Sequence, residues 1–87
     1  MMYRVSNAIR STHSQDGAIV LDVERGQMFR LNLVGSRILE ILKVGCTESA
    51  LVDQIIREFE VDRDTAEKDV RGFIGALKER HLLKDGY

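Results

Sequence analysis

The sequence predicts an α+β fold in which the strands come first and the helices follow. Two observations carry this. Hydrophobicity with a two-residue period is confined to the first third of the chain, and a three-to-four-residue period runs from residue 33 onward. A third observation divides the second region: Asn32, Thr47 and Asp62 each precede an apolar periodic run as a helix cap would. The expected order is β-β-β-α-α-α.

The first strand is expected over residues 2–9, with Tyr3, Val5 and Ile9 turned inward, and residues 11–17 read as a polar turn. Residues 18–23 (AIVLDV) follow Gly17 and form the strongest strand signal. Glu24, Arg25 and Gly26 make a short loop, in which Gly26 can take a positive φ. The chain returns through Gln27, Met28, Phe29, Arg30 and Leu31 as the second arm of a hairpin. Phe29 and Leu31 share one face, Met28 and Arg30 the other.

The first helix is expected over residues 33–42, with Val34, Ile38, Ile41 and Leu42 as its apolar stripe and Gly45 as its stop. In the second, Leu51, Val52, Ile55, Ile56 and Phe59 repeat at helical spacing. The third carries Ala66, Val70, Phe73, Ile74 and Leu77, with an acidic start and a basic end that suit the helix dipole. Leu82 and Leu83 then turn back onto the core.

The chain has 87 residues and reads as one domain, 1–87. Thirteen basic and fourteen acidic side chains give a net charge of −1, which argues against bulk nucleic acid as a partner. No apolar run approaches the roughly 20 residues of a membrane span, and the N-terminus lacks the apolar stretch of a signal peptide. With Cys46 as the only cysteine, no internal disulfide forms, which suits a reducing cytoplasm. The expectation is a cytoplasmic protein with no membrane partner.

No catalytic constellation is visible. His13 and His81 lie outside any metal-ligand spacing, Cys46 has no evident base beside it, and no glycine-rich phosphate loop follows a strand. Glu67 and Arg71 stand four residues apart, as a solvated surface pair. The expectation is no enzyme, no metal and no cofactor.

Two features stand out instead. Gly72 and Gly75 sit inside the third helix at a cost of roughly 1 kcal/mol each relative to alanine. Asp69, Gly72, Phe73, Ala76 and Arg80 fall at i, i+3, i+4, i+7 and i+11, one stripe with a shallow centre. Such a stripe is either the wall of a peptide groove or a close-packing face against the first helix. Similarly, Gln27 to Leu31 is either a sheet edge, whose free N–H and C=O groups would pair with an added strand, or a hairpin with both edges covered.

Three runs, AIVLDVERGQMFRLNLVGSRILEILKVG, LVDQIIREFEV and AEKDVRGFIGALKERHLL, resemble the PqqD-like proteins over about residues 16–84. The most telling pieces are the hairpin leading into the first helix and the pattern at Asp69, Val70, Phe73, Ile74 and Leu77. The resemblance implies a winged-helix arrangement, a three-stranded antiparallel sheet packed on three helices. It also implies a non-catalytic domain that binds the leader of a ribosomally made precursor peptide as a strand beside the third strand and against the third helix. In this chain those positions are Gln27, Met28, Phe29, Arg30 and Leu31, with Asp69, Gly72, Phe73, Ala76 and Arg80. The implied second partner is a peptide-modifying enzyme, a radical SAM enzyme in the pyrroloquinoline quinone (PQQ) pathway or a leader peptidase in lasso-peptide pathways.

Members of the pyrroloquinoline branch often read L-x-x-P-E before the third strand and D-G before the second helix. Here the corresponding stretches are LDVERG and VGCT, and the chain has no proline, which points toward the stand-alone proteins of other peptide pathways. Two competing functions share the architecture. A DNA-binding winged helix needs a basic recognition helix, whereas residues 62–81 balance five basic against five acidic side chains. A scaffold module would pair its edge strand with a second copy, so a homodimer is also among the partners the sequence allows.

Overall fold

The structure is a computed structural model that describes residues 2–85. In chain order its elements are β1 (Met2–Val5), β2 (Ile9–Ser14), β3 (Gly17–Asp22), β4 (Gln27–Leu31), α1 (Leu33–Val44), β5 (Cys46–Thr47), α2 (Glu48–Phe59), α3 (Arg63–Glu79) and β6 (Leu83–Asp85). The expected three-stranded antiparallel sheet is β2-β3-β4, and the three expected helices follow it.

The strand expected over residues 2–9 resolves into β1 and the start of β2. β1 leaves the main sheet and pairs antiparallel with β5 on one side and β6 on the other. The return expected at Leu82 and Leu83 is therefore the approach to a strand. Leu82 is fully buried, its N–H donates to the Leu77 carbonyl at 2.9 Å, and its own carbonyl accepts from the Ser6 N–H at 2.7 Å.

Residues 11–17 are a correction. Ser11 to Ser14 continue β2, paired residue for residue with Gly17 to Val20, and the turn shrinks to Gln15 and Asp16. The two-residue period was present but polar, with Ser11 and His13 half-buried and Arg10, Thr12 and Ser14 exposed. Pairing with the apolar β3 overrides the weak local signal of the polar strand.

All three helix caps form. The Asn32 side chain accepts from Gly35 N–H at 2.8 Å, Thr47 from Ala50 N–H at 3.1 Å and Asp62 from Thr65 N–H at 2.9 Å. α1 packs against both sheets and both other helices. Its Ile38, Leu39 and Leu42 are fully buried and join Val20, Leu51, Ile55, Val70 and Leu77 in one core cluster. Each such side chain contributes about 1.5–3 kcal/mol of burial.

The hairpin that carries β4 is fixed by a buried charge. Asp22, 1% exposed, accepts from the Arg25 backbone N–H at 3.3 Å and from the Arg25 guanidinium at 3.2 Å. Gly26 completes the loop at φ 67°. At Gly17 (φ 146°) an added Cβ would overlap the Leu31 carbonyl oxygen, so only glycine lets β3 begin where β4 ends.

Candidate functional site

β4 is the last strand of its sheet, and among the described residues nothing pairs with its outer side. Which backbone groups lie free there follows from the register. The Val23 N–H donates to the Ala8 carbonyl at 3.0 Å, so the odd residues of β3 bond toward β2. Its even residues, Ala18, Val20 and Asp22, then bond toward their partners Leu31, Phe29 and Gln27. Alternation leaves the N–H and C=O groups of Met28 and Arg30 pointing outward along the free edge.

Phe29 and Leu31 are half-buried, whereas Met28 is 69% exposed on the opposite face. Between β4 and α3 lies a cleft of about 170 Å³, floored by Val20, Leu39 and Leu77 and walled by Phe29, Leu31, Phe73 and Ala76. Arg80, the C-cap of α3, covers its mouth, with its guanidinium over the Phe29 ring at 4.5 Å from the centroid. A second cavity, of about 370 Å³, continues from Phe73 and Ala76 between α3 and the start of α1. Asp69 and Gly72 line it from α3, Asn32 and Gly35 from α1.

The structure thus gathers Phe29, Arg30, Leu31, Asp69, Gly72, Phe73, Ala76 and Arg80 around two adjoining cavities. Gln27 and Met28 line neither of them. At the two glycines of α3 the close-packing alternative fails, because a Cβ at Gly72 or Gly75 would meet nothing within 4 Å. The close approach between the helices is at Gly35, where an added Cβ would stand 3.2 Å from Phe73 Cε2. Sequence reasoning missed this α1 wall, although Val34, Gly35 and Ile38 recur at helical spacing beside the Asn32 cap.

The residues set aside as non-chemical are partly regrouped. His13 lies in a hydrogen-bonded cluster joining β2 to α1, with Nδ1 2.7 Å from Ser36 Oγ and Nε2 2.9 Å from Ser11 Oγ. His81 is exposed at φ 57°. Cys46 lies in β5, where burial pushes its thiol up. Arg71 pairs with Glu48 of α2 at 3.3 Å and more loosely with Glu67, at 4.0 Å. No grouping of three or more metal-ligating side chains occurs among the described residues, and no helix is long and apolar enough to cross a membrane.

A family model described as "Coenzyme PQQ synthesis protein D (PqqD)" matches residues 17–83. The chain belongs to the PqqD family. Among solved structures it is similar to TbiB1 in complex with the TbiA(beta) leader peptide, with 38% identity and a TM-score of 0.82 over 97% of this chain and 98% of that one. A lasso peptide synthetase B1 complexed with its leader peptide matches at 25% identity and a TM-score of 0.78, over 95% and 98%. The PqqD portion of Methylobacterium extorquens PqqCD, described as a stand-alone recognition element for ribosomally synthesized and post-translationally modified peptides, matches at 16% identity and a TM-score of 0.76, over 97% and 89%. That last likeness is one of fold. The comparison with curated proteins finds no match.

Proposed function

We propose that this PqqD-family protein binds the leader of a ribosomally made precursor peptide and presents it, without catalysis of its own, to the enzyme that modifies that peptide. The observation that carries the reading is the free edge of β4 beside an apolar cleft walled by α3. A peptide added as a strand would pair its main chain with Met28 and Arg30. Alternate side chains would then drop between Phe29, Leu31 and Phe73. Backbone pairing supplies affinity for any extended segment, and the cleft supplies selection. The leader-bound relatives at 38% and 25% identity support this reading.

The lasso peptide synthetase B1 relative favours a lasso-type pathway, with a leader peptidase as the enzyme served, over a radical SAM partner. The absence of proline and the LDVERG loop point the same way. A cytoplasmic setting fits the lone, half-buried cysteine. A homodimer through β4 would occupy the edge the leader needs, so the two are competing states of one surface. The DNA-binding alternative is disfavoured by charge, because Arg63 and Arg71 of α3 are held by Asp53, Glu48 and Glu67.

Titration of isotope-labelled protein with the TbiA(beta) leader peptide tests the proposal. Saturable amide shifts clustered on residues 27–31 and 69–80 are expected. A folded protein whose amides stay unmoved at millimolar peptide, or that instead binds duplex DNA in a salt-dependent manner, contradicts it.

A further inference from the structure

The ring of His13 is held from both sides. Ser36, 3% exposed, meets Nδ1 at 2.7 Å, while Ser11 Oγ lies 2.9 Å and the Lys43 ammonium 3.4 Å from Nε2. Lys43 also donates to Ser11 Oγ. An ammonium has no acceptor, so its closeness to Nε2 selects the neutral tautomer with hydrogen on Nδ1. The bonds then run in one direction, from Lys43 to Ser11, from Ser11 to His13 Nε2, and from His13 Nδ1 to Ser36. The β3 residue paired with His13 is Ala18, which adds no charge. Among the described residues, Lys43 is the charged side chain within hydrogen-bond reach of the ring.

Ser36 belongs to the first turn of α1, the segment that walls the larger cavity through Asn32 and Gly35. Gly35 already stands against Phe73. The latch therefore fixes the height of that wall over the sheet. A proton on Nε2 would remove the lone pair that Ser11 uses and set two cations 3.4 Å apart. We propose that His13 is a positioning residue for the groove, a neutral-imidazole latch through Ser36 that makes leader binding weaken on acidification. The inference rests on the peptide-binding reading above.

Two measurements separate the two claims. In the free protein, the His13 ring is followed by nitrogen-detected resonance from about pH 8 to about pH 5, the window in which imidazole changes charge. The expected result is an Nδ1–H tautomer at the upper end, with the amides of residues 32–36 moving together with the ring. An Nε2–H tautomer, or a ring that titrates while those amides stay still, overturns the latch without reference to any peptide. Affinity for the TbiA(beta) leader is then measured over the same range. Wild type should weaken about fivefold, the low end of coupling between linked sites. Lys43→Gln, an exposed change outside the groove, should flatten that dependence, and His81→Asn should leave it as in wild type. An equal slope in Lys43→Gln and wild type overturns the proposal. Absence of binding at every pH counts against the peptide reading, and the free-protein titration still decides the latch.

Discussion

The guanidinium of Arg80 lies over the ring of Phe29, its Cζ 4.5 Å from the ring centroid, and so ties the end of α3 to the edge strand β4. This contact spans the mouth of the smaller cleft. An exposed cation over a ring contributes about 0.5–1 kcal/mol, and Arg80→Ala should lower stability by that amount in urea unfolding. Phe29→Ala also removes a cleft wall, and leader affinity should fall about tenfold or more, as for a buried aromatic anchor. Arg80→Ala should change affinity far less, because the main-chain pairing does not involve it.

Gly72 and Gly75 provide a matched pair. Neither has any atom near the position of an added Cβ, so each change to alanine should gain about 1 kcal/mol of helix stability. Only Gly72 lines the larger cavity. Gly72→Ala should therefore stabilise the fold and weaken leader binding, while Gly75→Ala stabilises and leaves binding unchanged. Calorimetric melting and binding measured on the same two variants check this.

The edge register predicts an asymmetry under proline substitution. Met28 directs its N–H away from β3, whereas Phe29 directs its N–H toward Val20. Met28→Pro should keep the fold, because an edge strand tolerates a missing outward donor, and should cost the added strand one bond. Phe29→Pro breaks the ladder itself and should unfold the hairpin. Circular dichroism and thermal unfolding of the two variants distinguish them.

Acid sensitivity has an assignable source. The Arg37 side-chain hydrogen bond, helped by that of Gln54, holds the Glu58 carboxyl below its ordinary range, and the Thr65 hydroxyl and N–H do the same for Asp62. A carboxylate with a depressed folded pKa stabilises above its unfolded value, and that contribution is lost as pH falls through the folded one. Stability should thus begin to drop below about pH 4.3, the ordinary glutamate value. Glu58→Gln should remove part of that slope and cost about 0.2–1 kcal/mol at neutral pH, the range of a surface pair.

What the sequence made legible was local. Asn32, Thr47 and Asp62 each cap a helix through a bond to a backbone amide three residues on, and that logic needs no knowledge of the rest of the chain. The face assignment of Phe29 and Leu31 against Met28 and Arg30 held for the same reason. What stayed hidden depends on distant partners. β5 and β6 are two and three residues long and exist through pairing with β1, more than forty positions away in each case. The polar half of β2 is a strand because β3 pairs with it. The α1 wall became visible only once Gly35 and Phe73 were placed in contact. Likewise, the sequence places Asp22 within a strand but gives no sign that its carboxylate is buried and holds the hairpin that presents the edge.

Amide hydrogen exchange at β4 in the presence and absence of the TbiA(beta) leader peptide tests strand addition most directly. In the free protein, Phe29 and Leu31 should be protected by the ladder to β3, while Met28 and Arg30 exchange quickly. With peptide bound, Met28 and Arg30 should become protected and the other two should stay as they were. Protection of Met28 and Arg30 that does not change on peptide saturation would contradict the account.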